Sequence, residues 1–301
     1  MEALIKKKKI YTRKFKLVGK GGYGRVYDLN DGYVLKVSTE EIDNLKDSSF
    51  CNELKMYNIL SKTEAKKIIP EIKKFRYYKE DRNDNITTYI ITQKLQKLGH
   101  DYFVKLLKKY NESYVGYFIK KNIMDFFIKI LDNFEILHHA GIVHLDGRLD
   151  NMMISKKGDI YFIDFGLSED LNKDLLDMNS LIVSDIKDAL KRYATGKNLS
   201  VDYQLEILRC ILRIYDIWYF YTDFIRVLDT FIEDHKIYRD IIKKRIDKIL
   251  KETGCTNYKE AIMEIIEIKL ELDIKTAKDI NDFHYYVSLF KYHIDLDKPK
   301  I

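Results

Sequence analysis

The stretch from Ile142 to Gly166, IVHLDGRLDNMMISKKGDIYFIDFG, constrains this chain more than any other. His144, Asp146, Arg148 and Asn151 fall in one short loop, and Asp164-Phe165-Gly166 closes a second apolar run after a Lys-Lys-Gly-Asp turn. Asn151 to Ile154 and Ile160 to Phe165 are short apolar runs flanked by turn residues, which predicts the two strands of a small hairpin. Both ends of that hairpin carry carboxylates, and closing it brings them to one spot.

Such a group suits phosphoryl transfer. The transferred group needs a divalent metal to neutralise its oxygens; magnesium takes oxygen ligands, and Asn151 and Asp164 can supply them. Asp146 is left to orient an attacking hydroxyl and accept its proton. The pattern H-x-D-x-x-x-x-N followed by D-F-G resembles, in order and spacing, the signature of the protein-kinase superfamily. One half of the pattern predicts the other, which separates it from polar residues that merely decorate a surface turn.

With 301 residues and 46% hydrophobic content, the chain can bury a sizeable core as one large domain or as two lobes around a cleft. Its 53 basic and 47 acidic residues leave a net charge of +6, spread along the chain rather than blocked. That excess suits an anionic ligand and gives no reason to expect specific nucleic-acid binding. Cys51, Cys210 and Cys255 are widely spaced and read as reduced intracellular thiols. Leu205 to Ile232 is apolar but interrupted by Arg209, Arg213, Asp216, Asp223 and Arg226, so a core helix is expected there and not a membrane span. The N-terminal MEALIKKKKIYTRK lacks an apolar core of signal-peptide length, and Glu2 departs from the myristoylation pattern. No membrane anchor and a cytoplasmic address are therefore expected, with Lys6 to Lys9 as a solvated tail.

Further back, Phe15 to Val18 alternates, Gly19-Lys20-Gly21-Gly22-Tyr23-Gly24-Arg25-Val26 follows, and Asn30-Asp31-Gly32 precedes Tyr33 to Val37. This predicts three antiparallel strands with glycines in the first turn. A strand and not a helix follows the glycines, which excludes a dinucleotide-binding fold. Gly19, Gly21 and Gly24 would let backbone amides approach phosphate oxygens. Lys36 stands mid-strand in an apolar run, where a lysine is costly unless paired. Ser48 to Leu60 has a helical apolar period and carries Glu53. Ile68 to Tyr78 and Thr88 to Leu95 read as further strands joined by an Asp81 to Asn85 turn. From Asn122, the residues Met124, Phe127, Ile128, Leu131, Phe134 and Leu137 share a helical face that Gly141 ends. Helices fill Val201 to Ile301; Trp218, Tyr219 and Phe220 read as packing, and His138, His139, His235, His284 and His293 lack metal-ligand spacing.

The resemblance to protein kinases covers about Phe15 to Asp185, and it implies an α+β, two-lobed fold. Residues 1–98 would form an N-lobe of five antiparallel strands and one helix, and residues 99–301 a mainly helical C-lobe, with ATP and Mg2+ in the cleft. By that resemblance ATP lies under Val18, Gly19, Lys20, Gly21, Gly22, Tyr23, Gly24, Arg25 and Val26. Lys36 holds the phosphates and pairs with Glu53, Glu41 being the alternative. Asp146 positions the nucleophile, Arg148 supplies a cation near the transferred group, and Asn151 and Asp164 bind metal. Gln93 to Leu98 would be the hinge, with Thr92 behind it, and Asp185 the aspartate that braces the catalytic loop.

The implied function is transfer of the ATP γ-phosphoryl group to serine or threonine of a protein substrate, by a monomer. Arg148 also occurs in some tyrosine kinases, which leaves the acceptor open. GKGGYGRVY, NDGYVLKV and KLGHD look most similar to the poxviral and vaccinia-related branch, which would place the protein in host cytoplasm or virion. Small-molecule kinases of the aminoglycoside or choline type share these motifs and also lack Ala-Pro-Glu, but not so regular a glycine loop; a non-catalytic scaffold should have lost one of the required residues. Many family members carry, before the catalytic aspartate, an arginine that grips a phosphate on the activation segment. Leu145 stands there, and Asp164 and Asp185 are close in sequence, so activity independent of phosphorylation at Ser168 or Ser180 is expected.

Overall fold

The computed structural model describes residues 15–21, 24–41, 49–79, 85–112, 116–173, 181–195, 199–229 and 236–266. Gly22, Tyr23, the Lys6 to Lys9 run, most of the Asp81 to Asn85 turn, Ser180, His235, His284 and His293 lie outside them. The chain divides into two compact units. One combines the residues up to Tyr102 with Asp150–Ser168; the other combines Phe103–Leu149 with the residues from Glu169 onward.

In the first unit β1 (Lys16–Gly21), β2 (Gly24–Asp28), β3 (Tyr33–Glu41), β4 (Ile72–Lys79) and β5 (Asn85–Gln93) make one antiparallel sheet in the order β1-β2-β3-β5-β4. The turn between β2 and β3 is local chemistry. Asn30 and Gly32 take left-handed φ values of 61° and 87°, and the Asp28 carboxylate accepts from the Asn30 amide at 2.9 Å. Alternation then buries Tyr27, Leu35 and Ile91 on one face, with Phe15, Leu29 and Tyr89 partly buried against them. Helix α1 (Ser49–Leu60) turns Phe50, Glu53, Met56, Tyr57 and Leu60 inward.

The strand expected from Ile68 begins later. Glu64–Ile68 is a 3-10 helix capped by Thr63, whose side chain accepts from the Ala65 amide, and Pro70, which has no N–H, separates it from β4. The second of those strands ends at Gln93 and not Leu95. Lys97–Leu98 (β6) pairs instead with β8 (Met152–Ile154), which pairs with β9 (Ile160–Phe162), giving the expected hairpin. Gly158 in its turn has φ 83°, and the Ser155 hydroxyl accepts from the amides of Lys157 and Asp159.

The second unit is mainly helical. Helices α2 (Gly99–Glu112), which starts in the first unit, and α3 (Gly116–His139) precede β7 (Ile142–Val143), which pairs with β10 (Glu169–Asp170). Then follow α4 (Leu181–Thr195), α5 (Val201–Leu228) and α6 (Lys236–Glu252). The buried stripe of α3 runs through Ile123, Phe127, Ile130, Phe134 and Leu137, leaving Met124 and Ile128 at its margin. Phe103 stacks on Phe224, and Phe127 on Phe220, so the core of this unit is aromatic. Trp218 and Phe220 are buried in α5, as the packing reading expects. No helix among the described residues is long and apolar enough to cross a membrane.

Candidate active site

Within the first unit, Lys36 is the centre of a charged group. Its register partners are Val26 on β2 and Ile90 on β5, which places it in the middle of the sheet. Its Nζ donates to both carboxylate oxygens of Glu53, at 2.9 and 3.1 Å, and lies 3.6 Å from Asp164. The same Nζ stands 4.9 Å from the centroid of the Phe50 ring. Burial works against its charge, but the carboxylates of Glu53 and Asp164 outweigh that and hold Lys36 above the ordinary lysine range. Burial raises the Glu53 carboxyl, with the Lys36 ammonium opposing it. Glu53, not Glu41, is the partner because the α1 period turns it inward with Phe50 and Tyr57.

Asp164 has a left-handed backbone, φ 65° and ψ 64°, directly before the 3-10 turn Phe165–Leu167. Such a conformation costs a non-glycine residue about 1–2 kcal/mol and persists only where the surroundings impose it. Two elements do so. The Asn151 carbonyl accepts from the Ile163 amide at 2.9 Å, joining both ends of the hairpin. On the other side the Asn52 carboxamide donates to the carbonyls of Phe165, Gly166 and Ser168 at 3.4, 3.0 and 2.8 Å. Tyr57, one turn after Glu53 on α1, packs edge-on against Phe165 with ring centroids 5.2 Å apart, and burial beside the Glu53 and Asp164 carboxylates raises its hydroxyl pKa well above the ordinary value. Asn52 and Tyr57 are not apparent from motifs; the helical spacing around Glu53 is the signal that points to them.

The second unit holds the other group. Arg148 Nε donates to Asp146 Oδ1 at 2.9 Å and its Nη2 reaches Oδ2 at 3.4 Å. Burial opposes the guanidinium charge, but Asp146 outweighs it and raises the Arg148 pKa. The loop before them is braced by Asp216 of α5. Its carboxylate, fully buried, accepts from the amides of Leu145 and His144 at 2.6 and 2.7 Å and lies 3.0 Å from His138 Nε2. Asp185, the expected brace, is half-buried on α4. The bracing role belongs to Asp216, because only a rigid helix buried on nearly all sides can hold an unsolvated carboxylate against two adjacent amides. Leu145, held by that bond, also has a positive φ, 61°.

The glycine-rich turn is closed by β1–β2 pairing, Gly19 with Val26, Lys20 with Arg25 and Gly21 with Gly24. Gly24 has no room for a side chain: a Cβ there would lie 2.4 Å from the Val37 carbonyl oxygen. At Gly19 the nearest atom would be 3.5 Å away, an ordinary contact. Val18 is exposed on β1, as is Arg25 on β2, and Val26 is half-buried. Ser168 is fully buried and so is not a surface site for phosphorylation.

A five-stranded antiparallel sheet with one helix and a mainly helical remainder is the two-lobed fold of the protein-kinase class. The chain belongs to the protein-kinase family: the protein kinase domain model matches residues 12–185. A probable casein kinase I homolog of Encephalitozoon cuniculi is 28% identical over 156 residues, 50% of this chain and 43% of that protein. The serine/threonine-protein kinase greatwall of Homo sapiens is 27% identical over 174 residues, 55% of this chain and 18% of that protein. Mitogen-activated protein kinase kinase kinase A of Dictyostelium discoideum is 28% identical over 172 residues, 56% of this chain and 17% of its own length. The chain thus spans less than half the length of these relatives.

Proposed function

We propose that this chain is an ATP-dependent protein kinase that phosphorylates serine or threonine of protein substrates. The observation that carries the reading is Lys36, bonded to both oxygens of Glu53 and 3.6 Å from Asp164. A lysine held charged on a sheet, next to a carboxylate at the end of a hairpin, is what a nucleotide phosphate and its metal require. In this reading Lys36 holds the phosphates, and Glu53 keeps its ammonium aimed. The glycine-rich stretch from Val18 to Val26 is assigned to binding them through backbone amides, with Gly22 and Tyr23 of that stretch outside the described residues. Asp146 orients the acceptor hydroxyl and takes its proton, and Arg148 stabilises charge on the transferred group.

For the metal, Asn151 and Asp164 offer a carboxamide and a carboxylate oxygen. Mg2+ is ordinarily held by one or two such protein groups together with substrate phosphates and water, so this donor set fits it. When bound there it would neutralise charge on the phosphoryl oxygens. The N-lobe of residues 1–98, the C-lobe of 99–301, a monomeric state, a cytoplasmic address and a place near the poxviral and vaccinia-related kinases belong to the same proposal. Support for the serine/threonine acceptor is the naming of similar proteins such as greatwall.

The test is γ-labelled ATP with a panel of generic proteins, phosphoamino-acid analysis, and Asp146→Asn as control. Label on phosphoserine and phosphothreonine is expected. Asp146→Asn should keep ATP binding while turnover falls by roughly a hundred- to ten-thousandfold. Label on phosphotyrosine alone, or on aminoglycoside or choline and no protein, would overturn the reading.

A further inference from the structure

Asp223 lies on α5 seven residues after Asp216, hence on the same face of the helix. It is 5% exposed, and a buried carboxylate is costly unless its oxygens are bonded. Oδ1 accepts from Arg226 Nη2 at 2.8 Å, an ordinary pairing one helical turn away. Oδ2 does something that pairing does not explain: it accepts from the backbone amide of Leu149 at 2.9 Å. Leu149 is itself fully buried and directly follows Arg148. Asp216 takes the amides of His144 and Leu145, and Asp223 takes that of Leu149, so one rigid helix grips the loop on both sides of Asp146 and Arg148.

We propose that Asp223 is a positioning residue for the proposed phosphoryl transfer, fixing the exit of the loop as Asp216 fixes its entry. This rests on the kinase reading. The Arg148 amide already bonds to the Asp146 carbonyl at 2.9 Å, and the two side chains pair. The orientation of that pair is therefore set by the main chain at Arg148 and Leu149. Arg148 also feels Asp223 directly: burial opposes its charge, Asp146 is the main force sustaining it, and Tyr219 and Asp223 add to that. Without Asp223 the exit of the loop would lose its bond to α5 at Leu149, and a misplacement of about 1 Å can cost about a hundredfold in rate.

The experiment compares Asp223→Leu, Asp223→Asn and Arg226→Ala in the full chain, with steady-state kinetics and amide hydrogen exchange over residues 146–150. Asp223→Leu should lower kcat by about tenfold or more while KM for ATP stays within about twofold. Asp223→Asn keeps an oxygen for the Leu149 amide, and Arg226→Ala removes the ion pair while leaving the Asp223 carboxylate to accept from that amide, so both should hold kcat within about threefold. Exchange over 146–150 should quicken in Asp223→Leu alone. Near-normal kcat in Asp223→Leu, or an equal fall in Arg226→Ala, overturns the proposal. Should Asp223→Leu fail to fold, Leu149→Pro removes the same N–H from the other side, and undiminished kcat there overturns it too. A wild-type chain that phosphorylates nothing would sink the kinase reading, while the exchange data would still decide whether Asp223 holds the loop.

Discussion

Lys36 is tolerated in the middle of a sheet because two carboxylates and an aromatic face meet its ammonium. The glycines before it differ in why they are glycine. At Gly24 any Cβ would be driven into the Val37 carbonyl, so Gly24→Ala should destabilise the protein by about 1–3 kcal/mol through overpacking. Gly19→Ala meets only ordinary contacts and should cost under about 1 kcal/mol. Urea denaturation of both variants checks this, and equal stability losses would contradict it. If Gly19→Ala folds normally yet binds ATP weakly, the glycine there serves the ligand and not the fold.

Helix α1 acts as a single lever. Successive residues Asn52 and Glu53 bind the segment after Asp164 and the lysine before it, so moving the helix disturbs both. Asn52→Asp would turn a donor into an acceptor facing three carbonyl oxygens, and should lower thermal stability more than Asn52→Ala does. A melting comparison in which the aspartate is the more stable variant would refute the strap. Between α3 and α6 the charges of Glu135, Asp132, Arg245 and Lys248 interlock. Hydrogen bonding from Lys248, aided by the nearby positive charges, outweighs burial and holds the Glu135 carboxyl below its ordinary value of 4.5. A lowered carboxylate stabilises the fold above that ordinary value and loses the effect as pH falls through the lowered one. Glu135→Gln should therefore cost about 0.5–1 kcal/mol at neutral pH, as a half-exposed pair does, with the gap to wild type closing as pH falls below the ordinary carboxylate value and through the lowered one. Denaturation at neutral and acid pH measures it; a gap independent of pH would rule out the ionic account.

For the molecule as a whole, the arrangement bears on regulation. Leu145 is buried and offers no cation, Ser168 is buried, and Asn52 already ties down the chain from Phe165 to Ser168. The segment from Asp164 to the brace is longer than a brace at Asp185 would have made it, because the brace is Asp216; a short loop is thus no longer part of the reason. We expect activity that survives phosphatase treatment, with Ser168→Ala and Ser180→Ala within a few-fold of wild type. A loss of tenfold or more, about 1.4 kcal/mol of barrier, would reveal a phosphate receptor elsewhere in the chain.

The hairpin from Asn151 to Phe162, the turn at Asn30–Gly32 and the helical period of α1 were legible from residue order, and the pairing of Lys36 with Glu53 from the resemblance to protein kinases. Turn chemistry and side-chain period act over a few residues, and a lysine in an apolar strand is costly unless paired, though that alone does not choose the partner. The strand boundaries around Pro70 were not, since the capping of Thr63 competes with strand propensity over the same residues. Nor were the brace at Asp216, the clamp at Asp223 or the strap at Asn52. Asp216 and Leu145 are 71 residues apart, and Asn52 and Ser168 are 116 apart. No local rule links such pairs; which carboxylate or carboxamide reaches which backbone group was decided by how the helices pack, because burial leaves each polar group only the partners that packing brings within reach.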